Sequence, residues 1–307
     1  MIRPYVGSPI CRFVPWLRIL WITLLTLIYL GPLMAEDWPE WRGKGRGGVW
    51  NETGILAEFP TEGLEAIWRT PLGGGYTGPA VADGRVYVTD YRSTQGLKGV
   101  ERAICLDEQT GKVLWSHSWD VDYAGLDYPY GPRATPTVDD DRVYTLGAMG
   151  KLYCFNTKSG KVIWERDYQS DFGADVPIWG MTGAPLVDCE RLICLVGGQP
   201  DAKIVAFDKM TGKEIWRSIS SNSEPGYSPP VIFEAGNTRQ LIVWHPQAVT
   251  SLDPETGGKY WEHPFKVAVP VATPVFDRNR LLVSAFYKGS RFFRLHPKIP
   301  KAQLVWK

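Results

Sequence analysis

Cys105-Leu106-Asp107-Glu108-Gln109-Thr110-Gly111-Lys112-Val113-Leu114-Trp115 is the stretch that decides the fold, because it recurs. Cys154-Phe155-Asn156 leads through Gly160 to Trp164, Ala206-Phe207-Asp208 through Gly212 to Trp216, and Ser251-Leu252-Asp253 through Gly257 to Trp261. The common pattern is small-x-Asp/Asn-x3-Gly-x3-Trp. Extended runs flank a turn in each copy, so each copy reads as a β-hairpin. The Asp or Asn side chain can accept from backbone N–H groups two residues on. The Gly sits where the turn calls for positive φ. Trp brings a large apolar surface and one N–H that needs an acceptor. A Trp of one repeat lodged in the small-residue gap of the next would tie neighbours together.

Working outward, Trp68, Trp115, Trp164, Trp216, Trp261 and Trp306 stand 47, 49, 52, 45 and 45 residues apart. A period of about 40–50 residues holding four short strands is the signature of propeller blades. First strands begin around Pro79, Pro136, Pro185, Pro230 and Pro274, and β-branched, alternating runs follow each. The expected fold is all-β: a propeller of four-stranded blades over residues 64–307, with five blades and an orphan N-terminal outer strand around Glu65–Arg69. The fifth copy, Arg294-Leu295-His296 to Trp306, has lost its Asp and Gly and gained two residues. The blade count predicts an incomplete ring with C-terminal blades missing.

Composition agrees. Among 307 residues there are 24 Pro, 32 Gly and 14 Trp, which favours turn-rich β structure over helix. The net charge of +1 gives no electrostatic reason to expect a nucleic-acid partner. Residues 1–35 read as a secretory signal or an uncleaved anchor: basic Arg3, Arg12 and Arg18, an apolar run from Ile19 to Leu30, then Leu33-Met34-Ala35. The expected location is therefore the periplasm or the cell envelope, with a membrane involved only through that segment. Residues 36–63 form a lead-in whose glycines match no phosphate loop. The five Cys suggest neither a disulfide framework nor a haem attachment, and His117, His245, His263 and His296 show no metal-ligand spacing, so no metal is expected.

The repeat resembles the tryptophan-docking motif of PQQ-like β-propellers, a family that includes quinoprotein alcohol and glucose dehydrogenases and BamB-type assembly propellers. The opening Trp38-Pro39-Glu40-Trp41-Arg42-Gly43 is also similar to secreted bacterial PQQ-repeat proteins of unsettled activity. The resemblance implies structural docking roles for Asp107, Gly111 and Trp115, for Asn156, Gly160 and Trp164, for Asp208, Gly212 and Trp216, and for Asp253, Gly257 and Trp261. It implies either a non-catalytic binding or assembly scaffold that takes a protein or small ligand on its loop-rich face, or a PQQ-dependent oxidoreductase using PQQ with Ca²⁺. Members usually have seven or eight blades, so with the count of five the resemblance implies an incomplete seven- or eight-bladed ring, and a truncated product without function is the third alternative. Quinoprotein alcohol dehydrogenases typically carry adjacent cysteines over the quinone, and this chain has no Cys–Cys pair. No catalytic residue and no cofactor are expected under the scaffold reading.

Long links join each outer strand to the next inner strand, and such loop-rich faces usually carry function. Stepping back three residues from each first-strand Pro gives Tyr76, Arg133, Thr182, Tyr227 and Val271. If the blades align, these ring the mouth of the central channel. Tyr76, Arg133, Trp179, Thr182 and Tyr227 are the candidate ligand-binding residues, since Arg among aromatics can hold an anionic or planar ligand. The competing reading pairs Arg133 with a loop Asp and packs the tyrosines on Pro.

Overall fold

The computed structural model describes residues 36–307; the leader assigned to residues 1–35 lies outside the described residues. Twenty strands form five four-stranded antiparallel sheets, each a consecutive meander. Blade one holds β1 (Ala80–Ala82), β2 (Arg85–Gln95), β3 (Lys98–Asp107) and β4 (Val113–Asp122). Blade two holds β5 (Thr137–Asp139), β6 (Arg142–Leu146), β7 (Lys151–Asn156) and β8 (Val162–Asp167). Blade three holds β9 (Leu186–Asp188), β10 (Arg191–Gly198), β11 (Ala202–Asp208) and β12 (Glu214–Ser218). Blade four holds β13 (Val231–Ala235), β14 (Thr238–His245), β15 (Ala248–Leu252) and β16 (Lys259–Pro264). Blade five holds β17 (Val275–Asp277), β18 (Arg280–Ser284), β19 (Ser290–Leu295) and β20 (Ala302–Trp306). The one α-helix among the described residues, α1 (Tyr168–Phe172), sits in the link from blade two to blade three. Asp167 caps its N-terminus and left-handed Gly173 ends it.

Four cores are each shared by two consecutive blades. Tyr87 and Cys105 of blade one pack with Val143 and Phe155 of blade two. Tyr144 and Trp164 meet Leu192 and Phe207. Ile193 and Trp216 meet Leu241 and Leu252. Ile242 and Trp261 meet Leu281 and Phe293. Burial between sheets, rather than within one, makes each blade depend on its neighbours.

The repeat explains these joints residue by residue. Asp107 Oδ1 accepts from Thr110 N at 2.8 Å, Asn156 Oδ1 from Ser159 N at 3.0 Å, Asp208 Oδ1 from Thr211 N at 2.7 Å, and Asp253 Oδ1 from Glu255 N at 2.8 Å. The indole N–H groups of Trp68, Trp115, Trp164 and Trp216 reach forward to the carbonyls of Glu108, Thr157, Lys209 and Pro254 at 2.7–3.3 Å. The receiving surface in the next repeat is the glycine, not the small residue. A Cβ on Gly111, Gly160, Gly212 or Gly257 would stand 2.4–2.7 Å from the docked indole, and all four glycines have φ of 66–72°. The small residue lies directly across the sheet from its own blade's Trp: Cys105 opposite Trp115, Cys154 opposite Trp164, Ala206 opposite Trp216, Ser251 opposite Trp261.

Two further details refine the expectations. Glu65–Arg69 pairs with no strand, yet Trp68 docks on Gly111 as the outer-strand Trp of a preceding blade would. In blade five, Arg294 faces Arg280 as Asp107 faces Arg85, and Phe292 faces Trp306. The Asp position is thus Arg294, not His296, and the turn is four residues longer than in blade one rather than two.

Candidate functional site

The mouth of the channel is built on a plug. Trp38 bridges to Val81 of blade one, and Val138 N of blade two donates to Pro39 O at 2.8 Å. Arg46, only 4% exposed, donates to Pro185 O and to Ala184 O at 3.1 Å before blade three, and to Pro230 O at 2.9 Å before blade four. Its charge is paired with Glu40 at 2.9 Å. Trp41 Nε1 donates to Thr273 Oγ1 of blade five at 3.1 Å. Residues 38–46 of the lead-in therefore touch the inner edge of all five blades.

Above it lies a cavity of about 300 Å³ lined by Trp41, Tyr76, Tyr128, Arg133, Trp179, Thr182, Tyr227, Pro229 and Val271. The structure brings together all five residues found by counting back from the prolines, and adds Trp179. Trp41, Tyr128 and Pro229 were not among the sequence candidates. Trp41 carried no periodic signal, because the lead-in lies outside the repeat. Tyr128 stood in a loop rich in tyrosine and was indistinguishable there from Tyr130.

Local geometry places each side chain. Gly73, Gly74 and Gly75 let the Tyr76 loop lie flush on its neighbours: a Cβ on Gly74 would stand 2.3 Å from Tyr130 O. Tyr76 N then donates to Pro132 O at 2.9 Å. A turn closed by Gly180 N to Pro177 O at 2.7 Å presents Trp179. Its ring lies 5.2 Å from that of Tyr227. Thr182 Oγ1 donates to Tyr227 O at 3.1 Å, and Tyr227 Oη to Glu224 Oε2 at 3.3 Å. Burial, helped by Glu224, pushes the Tyr227 phenol up to about 12, so it remains a neutral donor.

Arg133 is held by main chain, not by a loop Asp side chain. It donates to Gly131 O, to Tyr128 O at 2.7 Å and to Asp127 O at 3.2 Å. Its guanidinium carbon lies 5.2 Å over the Tyr76 ring and 6.0 Å from that of Tyr123. Burial pulls its pKa down, opposed by Tyr123, Tyr76 and Glu101, but a guanidinium stays cationic. Beneath this loop, fully buried Glu101 accepts from Tyr123 Oη at 2.5 Å and from Trp119 Nε1 and Ala148 N at 2.9 Å each. Burial raises the Glu101 pKa, and those three donors work against the rise. The network pins Tyr123, and with it the loop that carries Arg133.

The lining contains no Asp, Glu, Asn or Gln. Ca²⁺ takes six to eight oxygen ligands, rich in carboxylates, so these residues do not fit a calcium–quinone pair. No group of His, Cys, Asp and Glu suited to a metal occurs among the described residues. Cys105, Cys154 and Cys194 are buried, with burial raising each thiol's pKa. No described helix is long and apolar enough to cross a membrane.

Quinohemoprotein alcohol dehydrogenase from Comamonas testosteroni superposes with a TM-score of 0.62 at 17% identity, covering 88% of this chain and 49% of that one. A europium-containing methanol dehydrogenase gives 0.54 at 13% identity, covering 78% and 53%. BamB from Moraxella catarrhalis gives 0.46 at 16% identity, covering 76% of each chain. This chain thus spans about half the length of the two dehydrogenases, and at these identities the likeness concerns the fold. No curated protein sequence matches it. The family described as outer membrane protein assembly factor BamB matches residues 51–199 and 99–298. The chain belongs to that family of PQQ-repeat β-propellers.

Proposed function

We propose that this protein is an exported, non-catalytic binding propeller that acts as a scaffold through its loop-rich face, with the channel-mouth cavity as its point of recognition. One observation carries the reading: five blades and the plug converge on a cavity lined by aromatic rings and a single cation. Rings of this kind are large, stiff contact surfaces with a polar edge, the residue types that dominate recognition sites. Tyr76, Tyr128, Tyr130, Phe286 and Tyr287 are exposed in loops on the same side of the sheets, extending that apolar surface outward. The lining's rings, its Thr182 hydroxyl and its one guanidinium are the groups of a binding surface. The basic, then apolar leader supports export.

Capture from envelope extract tests the reading. The full chain and its R133A/Y227A variant, matched for thermal unfolding, are compared for the proteins they retain. The expected result is loss of specific partners from the variant. An identical set would remove the cavity from the recognition surface. Dye-linked oxidation of alcohols after addition of PQQ and Ca²⁺ would replace the scaffold reading with the oxidoreductase one.

A further inference from the structure

We propose that the channel-mouth cavity takes the free C-terminal carboxylate of a polypeptide ending in an aromatic or large apolar residue; this rests on the binding reading above. Charge comes first. Arg133 is the only charged group in the lining, and its protein acceptors are three neutral carbonyls. A guanidinium has five N–H donors, so two remain for a ligand. Buried Glu101 acts on this cation from beneath the loop, but the cavity side offers it no anion, and a carboxylate is the planar anion that a guanidinium fork matches.

Rigidity comes second. The three carbonyls and the Tyr76 ring fix the guanidinium before anything binds. Gly180 lets the Trp179 turn pack closely against it: a Cβ there would stand 3.3 Å from Arg133 Nε and 3.0 Å from Ala148 O, and φ is 72°. An anion therefore meets a preorganised donor and does not have to order one.

Shape decides the source of the carboxylate. The cavity of about 300 Å³ is small for a ligand site. Trp41 lies in its lining and the plug sits behind, so a chain enters but has no way through. A side-chain carboxylate in mid-chain would need room for the chain to turn back, whereas a C-terminus brings its carboxylate in end-on. The neighbouring rings of Trp179 and Tyr227 then accept the last side chain, and exposed Tyr128 and Tyr130 on the rim meet the residues before it.

The experiment is fluorescence polarisation on the full chain with an N-terminally labelled hexapeptide, Gly-Ser-Gly-Ser-Gly-Phe. Its partners are the same peptide with a C-terminal amide and unlabelled N-acetylphenylalanine as competitor. The free acid should bind about 10- to 100-fold more tightly than the amide, as expected for a charged hydrogen bond. Arg133→Gln should erase that preference, and Arg133→Lys should keep part of it. Equal binding of acid and amide, no binding of either, or an undiminished preference in Arg133→Gln would overturn the proposal. N-acetylphenylalanine competing as strongly as the unlabelled peptide would overturn the assignment to a polypeptide end. Partner loss in R133A/Y227A with no carboxylate preference would leave the scaffold reading standing and remove only this one.

Discussion

Trp216 and Trp306 occupy the same repeat position and meet different fates. Trp216 is 8% exposed, donates to Pro254 O and lies over Gly257 of the next blade. Trp306 is 48% exposed and lies flat on Phe292 of its own blade, with ring centroids 5.5 Å apart and planes 9° apart. Where blades one to four put Cys or a smaller residue opposite the indole, blade five puts Phe. A docking Trp is thus half of an interface. Trp68, Trp115, Trp164 and Trp216 each lie over a glycine of the following module, whereas Trp261 is buried against blade five with its N–H on Gln240 of its own blade, so the repeat motif alone does not supply the glycine contact.

The largest expected effect breaks this contrast directly. Trp216→Ala should cost about 3–5 kcal/mol, the range for removing a large buried side chain. Trp306→Ala should cost about 1 kcal/mol or less, typical of a surface stacking pair. Urea midpoints of the two variants measure the difference, and equal shifts would sink the account of docking. Blades three and four are joined a second time at the inner edge, where Arg46 bridges Ala184, Pro185 and Pro230. Arg46→Ala strands Glu40 and those carbonyls, so a loss of about 3 kcal/mol is expected. With no partner shared between the two sites, the double variant with Trp216→Ala should be close to additive.

The glycines sharpen the comparison at smaller scale. Gly212→Ala and Gly289→Ala impose nearly the same backbone strain, with φ of 68° and 75°. Only at Gly212 would the new Cβ meet an indole, 2.6 Å from Trp164, whereas Gly289 faces open space. Gly289→Ala should cost about 1 kcal/mol for its conformation alone, and Gly212→Ala about 1–3 kcal/mol more for overpacking. Thermal unfolding of the two variants reads the difference. Equal losses would mean that the glycine serves φ and not the Trp.

The smallest effect concerns pH. Hydrogen bonds from Thr211 hold the Asp208 carboxyl below its usual range. A depressed folded-state value means the stabilisation is present above the unfolded value, near pH 4, and is lost as pH falls through the lower folded one. Blade two carries Asn156 at the equivalent position and accepts the same turn bonds. Asp208→Asn should therefore flatten the acid limb of the stability curve below about pH 4 while leaving neutral stability nearly unchanged. An unaltered acid limb in urea titrations at pH 3–5 would exclude Asp208 as a contributor.

The candidate site was half legible beforehand. Tyr76, Arg133, Thr182, Tyr227 and Val271 could be found by counting from the prolines, because a repeat with a fixed register carries equivalent positions to equivalent places around an axis. Trp41 could not, because it has no counterpart in the other repeats. Its bond to Thr273 joins residues 232 apart, and Arg46 reaches Pro230 across 184. Nor could the partners of Arg133 be foreseen. Asp127 accepts from Arg133 through its main-chain carbonyl alone, which any residue would have offered, so side-chain identity held no clue.

By itself the sequence determined the five meanders, the Asx turns and the linking of consecutive repeats by their indoles, though not the glycine that receives each one. Each follows from contacts within one repeat or between adjacent ones, and residue type limits them tightly: Gly for φ and clearance, Trp for area. Only the tertiary structure decided that the lead-in plugs the axis, that blade five stacks its Trp on its own Phe, and that main-chain carbonyls rather than an acidic side chain fix the guanidinium at the mouth. Those outcomes depend on where several distant segments converge, and convergence is a property of the assembled blades that no local pattern encodes.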